Sequence, residues 1–352
     1  MYVKVMSECA ILSMSSRKGK TMIRKFTIRN FKCYGKQGAT FDLARITFVY
    51  GNNSVGKSSF LEALKILDSA QRRRDLVVRS DAFKNGQIAA EDEWRLECSD
   101  LEGSAHNWVL KCNSESKWSL VDRDSGEQIT GPLYNQCVPS VEHIQAGDLK
   151  KKEVSGFEAL AASMEGDNAD VLTQEEVADI NNMFKDLKVP YSCSIDGSLT
   201  DLDFDMVGLS VDKVGTGIRG IYRYLKAMAK WKSGLLLFEE PEANVNESQL
   251  QVLAQLLIRV ALKRGENDAN AQLVVECHSE HVMLEVMKMV AGNQLRCEDV
   301  CIVYVVKDKE RGACPIRCMI NSKGTLDKWP AEGGFFAARK RILFGRDVQY
   351  DR

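Results

Sequence analysis

Apolar positions change period several times along the chain, and each change marks an element. Ile23, Phe26, Ile28 and Phe31 stand among charged neighbours in short β-like stretches, and Ile46–Tyr50 is a compact β-rich run ending on Gly51. From Lys57 the pattern turns helical, with Phe60, Leu61, Leu64 and Leu67 three or four residues apart. A strand, a glycine-bearing turn and a helix therefore follow directly on one another.

From about residue 86 to 200 the texture is different. Trp94–Cys98 and Trp108–Cys112 alternate as antiparallel strands do, with turns expected at Gly103 and Ser114, and Thr173–Leu187 predicts a polar helix. An α/β rhythm resumes at Val207. It predicts a helix over Ile218–Met228, a buried strand over Leu235–Phe238, and an amphipathic helix carrying Leu250, Leu253, Leu257 and Val260 that Gly265 stops. A strand at Leu273–Val275, a helix up to Gly292, and a hairpin of Cys301–Val306 and Pro315–Ile320 turning at Arg311-Gly312 complete the pattern. No sustained heptads, internal repeat or low-complexity tract interrupts it. The chain divides into an N-terminal extension at 1–21, an N-lobe at 22–85, an inserted β/α arm or lid at 86–204, and a C-lobe at 205–352.

Composition narrows the class. Of 352 residues 44% are hydrophobic and 28% charged, as in an ordinary globular protein. No apolar run approaches the roughly 20 residues that cross a bilayer, so no membrane role is expected. Met1–Lys20 lacks the continuous apolar core of a secretory signal and reads as an extension before a second start at Met22. Net charge is −1, and the basic triplets Arg72–Arg74, Lys150–Lys152 and Arg339–Arg341 read first as solvated faces. Eleven scattered cysteines suggest a reducing, cytoplasmic setting. Cys297/Cys301 and Cys314/Cys318 have a zinc-like spacing only in the weaker Cys-x-x-x-Cys form, which favours buried thiols.

Gly51-Asn52-Asn53-Ser54-Val55-Gly56-Lys57-Ser58-Ser59 fits the P-loop pattern. Its glycines let backbone N–H groups turn inward on phosphates, Lys57 reaches the β/γ-phosphates of ATP, and the Ser58 hydroxyl suits Mg²⁺. Leu235–Phe238 then delivers the adjacent carboxylates Glu239 and Glu240 to the edge of a sheet, one for Mg²⁺ and one to orient an attacking water. The long separation from the P-loop is that of an ABC-type head. Such a head needs a glycine-bearing signature loop about one helix before the carboxylates, where Val214-Gly215-Thr216-Gly217-Ile218 occurs. The free N–H groups of the helix that follows suit a γ-phosphate. His278, just past the strand Val274–Glu276, stands where a switch histidine would meet that phosphate; structural and metal-binding roles remain alternatives, and His281 reads as a support residue.

IRKFTIRNFKCYG, ITFVYGNNSVGKSSFLEAL, LLLFEEPEANV and LVVECHSEHVML together resemble the overcoming-lysogenization-defect (OLD-like) ATPases of the ABC superfamily. The tail Thr325–Phe336 resembles the ending of a bacterial subgroup with that core. This resemblance covers most of 22–85 and 205–336. It implies an α/β ABC-type head with a mixed sheet, working as a homodimer or higher homo-oligomer in which one subunit's signature caps ATP held by the other. It assigns Glu239 to Mg²⁺, Glu240 to water activation, and Lys57, Ser58 and His278 to the active site. The chain departs from the family pattern at Asn244 and Asn246, where histidine is usual, and in its incomplete signature. The Q-loop glutamine is open among Gln71, Gln87 and Gln145. No Asp-x-Asp nuclease set follows His281, and Asp201-Leu202-Asp203-Phe204-Asp205 reads as a polar strand edge. The resemblance thus points to an ATPase controlling a separate nuclease or toxin effector in antiphage defence, with DNA as a further candidate partner. A RecF/SMC-like DNA repair or maintenance ATPase is the alternative, and a nucleotide-binding scaffold the third.

Overall fold

The computed structural model describes residues 22–29, 31–71, 94–99, 105–112, 118–122, 141–145, 171–232, 234–243, 245–269 and 271–328. Three strands open it, β1 (Lys25–Arg29), β2 (Ala39–Asp42) and β3 (Ile46–Gly51), followed by helix α1 (Lys57–Gln71). Next come β4 (Trp94–Ser99), β5 (Ala105–Cys112), β6 (Trp118–Asp122) and β7 (Val141–Gln145). Helix α2 (Gln174–Asp186) precedes β8 (Tyr191–Cys193), β9 (Leu199–Asp201) and β10 (Met206–Leu209). The remainder is α3 (Thr216–Lys230), β11 (Leu235–Glu239), α4 (Glu247–Asn267), β12 (Gln272–Glu276), α5 (Glu280–Ala291), β13 (Val300–Asp308) and β14 (Gly312–Cys318).

Continuous apolar runs belong in sheets covered on both faces, and the central six-stranded sheet is built from them. Its order is β14-β13-β3-β12-β11-β7, parallel except for β14, which pairs antiparallel with β13. Alternate side chains feed two cores. Ile46, Phe48, Tyr50, Leu236, Phe238, Leu273 and Val275 face the core shared with α2 to α5. Val49, Leu235, Leu237 and Val274 face the core of α1, through Phe60, Leu61, Ala63 and Leu64. Each such side chain contributes about 1.5–3 kcal/mol when fully buried, so the middle strands are held from both sides. Phe41 of β2 stacks on Phe60 with ring centroids 3.9 Å apart, fixing the start of α1 against the second sheet.

That second sheet has the order β2-β1-β4-β5-β6. The strands expected in an arm at 86–204 are thus shared with the flanking segments: β4 pairs antiparallel with β1, and β7 pairs parallel with β11. Backbone pairing to a strand more than 60 residues earlier is a tertiary event that alternation alone does not specify. The helix of the polar stretch forms as its caps dictate. Thr173 accepts from the Glu176 backbone N–H while the Glu176 carboxylate accepts from the Thr173 N–H, a reciprocal cap.

Two boundaries differ from expectation. Helix α3 begins at Thr216, inside the glycine-bearing loop, rather than at Ile218. Helix α4 runs through Gly265 to Asn267. Gly265 serves close approach instead of termination, since a Cβ there would lie 2.3 Å from the Arg45 guanidinium, which donates to the Ala271 carbonyl at 3.0 Å. Among the described residues no helix is long and apolar enough to cross a membrane.

Candidate functional site

The path of the turn from β3 into α1 depends on its glycines. Gly51 has φ 148° and Gly56 φ 115°, and a Cβ on Gly51 would sit 2.4 Å from the Val305 carbonyl oxygen. The Tyr34 hydroxyl holds the loop by donating to the Gly56 carbonyl at 2.7 Å. Asn52, Asn53 and Ser54 are exposed, Ser54 at φ 61°. Lys57 is buried to 3% exposure, and its ammonium donates to the Asn52 carbonyl at 2.9 Å, closing the loop across itself. Ser58 is exposed, while the half-buried Ser59 hydroxyl hydrogen-bonds to the Cys33 thiol beneath.

Parallel pairing then aligns the strand ends. Glu239 of β11 lies in register with Glu276 of β12 on one side and with Gln145 of β7 on the other. Two carboxylates therefore leave neighbouring strands at one edge, next to the loop that follows β3. Glu276 is 2% exposed; its Oε1 accepts from the Ser58 hydroxyl at 3.1 Å and lies 3.6 Å from the Lys57 ammonium. Its Oε2 is buried without a hydrogen-bond partner. Burial, then the negative charge of Glu239, push the Glu276 carboxyl up to about 7, against the opposing pull of Lys57 and Ser58.

Glu240 leaves the strand in the left-handed region, φ 50°, with its N–H donating to the Glu276 carbonyl at 2.9 Å. Its carboxylate reaches His278 Nε2 at 3.0 Å, and that nitrogen is 3.9 Å from Glu276 Oε1. Burial and the Lys57 charge lower the His278 pKa, so the ring is neutral at pH 7 and Nε2 can donate to Glu240. The His278 backbone N–H donates to the Glu242 carboxylate, whose pKa burial raises. Lys57 in turn has its pKa lowered by burial, offset by the acids around it.

Thus Lys57, Ser58, Glu240 and His278 come together, with Glu239 beside them in register. Gly215 and Thr216 are exposed and Gly217 is half-buried at the start of α3; among the described residues no hydrogen bond links them to the P-loop. His281 is placed apart, 2.7 Å from the Glu247 carboxylate. Asp201 accepts from the Tyr191 hydroxyl at 2.6 Å and from the Asp203 N–H at 3.1 Å, as a turn-holding side chain does. Cys301 and Cys318 have thiols pushed by burial up to about 12 and about 11, as buried free thiols do. Of the glutamines, Gln145 ends a strand of the site edge and Gln71 ends α1; Gln87, Asn244, the three basic triplets and the tail beyond Lys328 lie outside the described residues.

Glu276 and Glu242 are the site residues that sequence reasoning passed over. The signal was present for Glu276: the apolar runs of β11 and β12 each end on a glutamate, and parallel in-register pairing makes such ends neighbours. Nothing comparable marked Glu242.

This architecture has solved counterparts. The SMC head domain with an extended coiled coil bound to the C-terminal domain of ScpA, from Pyrococcus furiosus, superposes with a TM-score of 0.53 at 13% identity over 85% of this chain and 96% of that one. An SMC head bound to the C-winged helix domain of ScpA gives 0.51 at 16% identity over 85% and 98%. The fold is thus that of an SMC head domain. Residues 22–101, which include the P-loop, match the family described as AAA ATPase domain. A 103-residue stretch is 35% identical to the DNA replication and repair protein RecF of Synechococcus sp. (strain JA-2-3B'a(2-13)), covering 28% of this chain and 24% of RecF.

Proposed function

We propose that the chain is an ABC-type ATPase that hydrolyses Mg²⁺·ATP at sites completed by a second copy of itself. The observation that supports this best is the convergence of Lys57, Ser58, Glu240, Glu276 and His278 at the ends of β3, β11 and β12. The loop amides and Lys57 bind the β/γ-phosphates, and the opening of α1 adds a favourable dipole. Ser58 with Glu239 would hold Mg²⁺, which supplies charge neutralisation to the phosphates; the Ser58 hydroxyl, hydrogen-bonded to the buried Glu276 carboxylate and one strand from Glu239 in register, suits a hard cation. Glu240 accepts the proton of the attacking water, and neutral His278 holds that carboxylate and faces the γ-phosphate.

The second copy would bring its Val214–Gly217 loop. The N-terminal amides of α3 lack a side-chain cap, and a Cβ on Gly215 would meet nothing within 4 Å, so this helix start is open to an anion. Phe204, Met206 and Val207, upstream of it in the chain, are exposed apolar side chains.

In this reading the chain acts in the cytoplasm and, by its resemblance to OLD-like ATPases, controls a nuclease or toxin effector in antiphage defence. The RecF-like stretch supports the second reading, a DNA repair or maintenance ATPase. Nucleotide binding and turnover test the common core. Lys57→Ala should lose most ATP affinity, whereas Glu240→Gln should bind ATP normally and hydrolyse it at least about 100-fold more slowly. Wild-type ATP affinity in the lysine variant, or wild-type turnover in Glu240→Gln, would overturn the assignment. Stimulation of turnover by DNA would favour the repair reading over the effector reading.

A further inference from the structure

We propose that the chain holds a divalent cation without nucleotide, anchored by Glu276 and completed by Glu240 and His278. The site shares residues with the ATP site proposed above but needs no phosphate to form.

Charge is the first reason. Glu239, Glu240, Glu242 and Glu276 act on one another at the strand ends, and Lys57 is the cation that acts on them. Acids in excess of bases, in a partly desolvated pocket, attract a cation. The second reason is independent of charge counting. Glu276 is 2% exposed and its Oε2 accepts no hydrogen bond, while Lys57 and Ser58 both engage Oε1. A buried carboxylate oxygen without a partner is costly, and a bound ion removes that cost.

Geometry supplies the third. One carboxylate oxygen each of Glu240 and Glu276 and one imidazole nitrogen of His278 lie within 4.8 Å of one another. Ligands at about 2.0–2.2 Å from a common ion stand up to about 4.4 Å apart, so small side-chain rotations bring all three onto it. The Glu240 N–H bonded to the Glu276 carbonyl at 2.9 Å ties two ligand-bearing backbones together, and the strand register presets the rest. Ser58 Oγ, 3.1 Å from Glu276 Oε1, lies at the rim as a further oxygen. Two carboxylates, an imidazole and a hydroxyl suit Mg²⁺ or Mn²⁺, with the nitrogen also tolerating Zn²⁺. The ion would be in place before nucleotide arrives, at the carboxylate and imidazole assigned above to water and γ-phosphate.

Mn²⁺ is the probe. Full-length protein stripped with EDTA is titrated with Mn²⁺ in the absence of nucleotide, and free Mn²⁺ is read by its paramagnetic resonance signal. Wild type is expected to bind about one Mn²⁺ per chain, competed by Mg²⁺, with a nitrogen coupling from His278. Glu276→Gln should bind at least tenfold more weakly, and His278→Gln should lose the nitrogen coupling. The second variant carries the test if the first does not fold. An ATP titration of the same wild-type protein separates the two readings: Mn²⁺ held without any ATP affinity would leave this proposal standing and sink the ATPase reading, and ATP affinity with no Mn²⁺ held beforehand would do the reverse. No Mn²⁺ retained without nucleotide, or equal affinity in wild type and both site variants, would overturn it.

Discussion

Glu276 shows what burial does to one carboxyl. Its pKa is pushed up to about 7 from an ordinary 4.5, so the folded chain binds this proton more tightly than the unfolded chain does. The stability linked to it is fully present below about pH 4.5 and is lost as pH rises through 7. In EDTA and without nucleotide, the wild type should therefore lose on the order of 3 kcal/mol from this group between pH 4.5 and 8. Glu276→Gln, which cannot ionise, should show a flatter profile. Urea titrations of both proteins across that range check the difference; parallel profiles would mean that Glu276 is not held above its ordinary range.

The element proposed to hold phosphate is a strand, a loop and a helix, and the loop's shape rests on backbone freedom. At Gly51 a left-handed φ combines with contact against the Val305 backbone carbonyl of the neighbouring strand, a neighbour that cannot rotate away. Gly51→Ala should destabilise the fold by about 2 kcal/mol or more and abolish ATP binding with it. The urea midpoint and a nucleotide titration measure both effects. A variant within about 0.5 kcal/mol of wild type would show that β3 and β13 can separate there without loss.

At the scale of the whole molecule, the P-loop edge and the proposed signature loop lie apart. The P-loop and the acids meet at one sheet edge, whereas the Gly215–Gly217 segment opens α3 with no hydrogen bond to that loop among the described residues. On the proposed reading, such a division calls for closure in trans. Gly217→Asp should bind ATP yet fail to assemble, because a carboxylate would oppose the γ-phosphate. Mixed with Lys57→Ala it should recover part of the activity, since a mixed pair contains one site with both halves intact. Light scattering of Glu240→Gln with ATP should show the assembled form. Failure of ATP to promote any contact in that variant would mean that another protein supplies the second half.

The P-loop turn, the two adjacent carboxylates, the position of His278 past its strand and most elements were legible in the sequence. Each rests on local rules: glycine conformational freedom, side-chain periodicity, and a helix or strand that positions its own neighbours. Gln145 and Glu276 were different, since their significance comes from register. Gln145 stays one of three Q-loop candidates, and the pairing of β7 with β11 sets it level with Glu239. Glu276 ended an ordinary apolar strand until β12 entered between β3 and β11, which put its carboxylate against Ser58 and Lys57. Gly265 misled in the same way: its local signal was a helix stop, but Arg45 from another part of the chain required the missing side chain. Hydrogen-bond pairing between distant segments chooses which strand ends become neighbours, and no local periodicity encodes that choice.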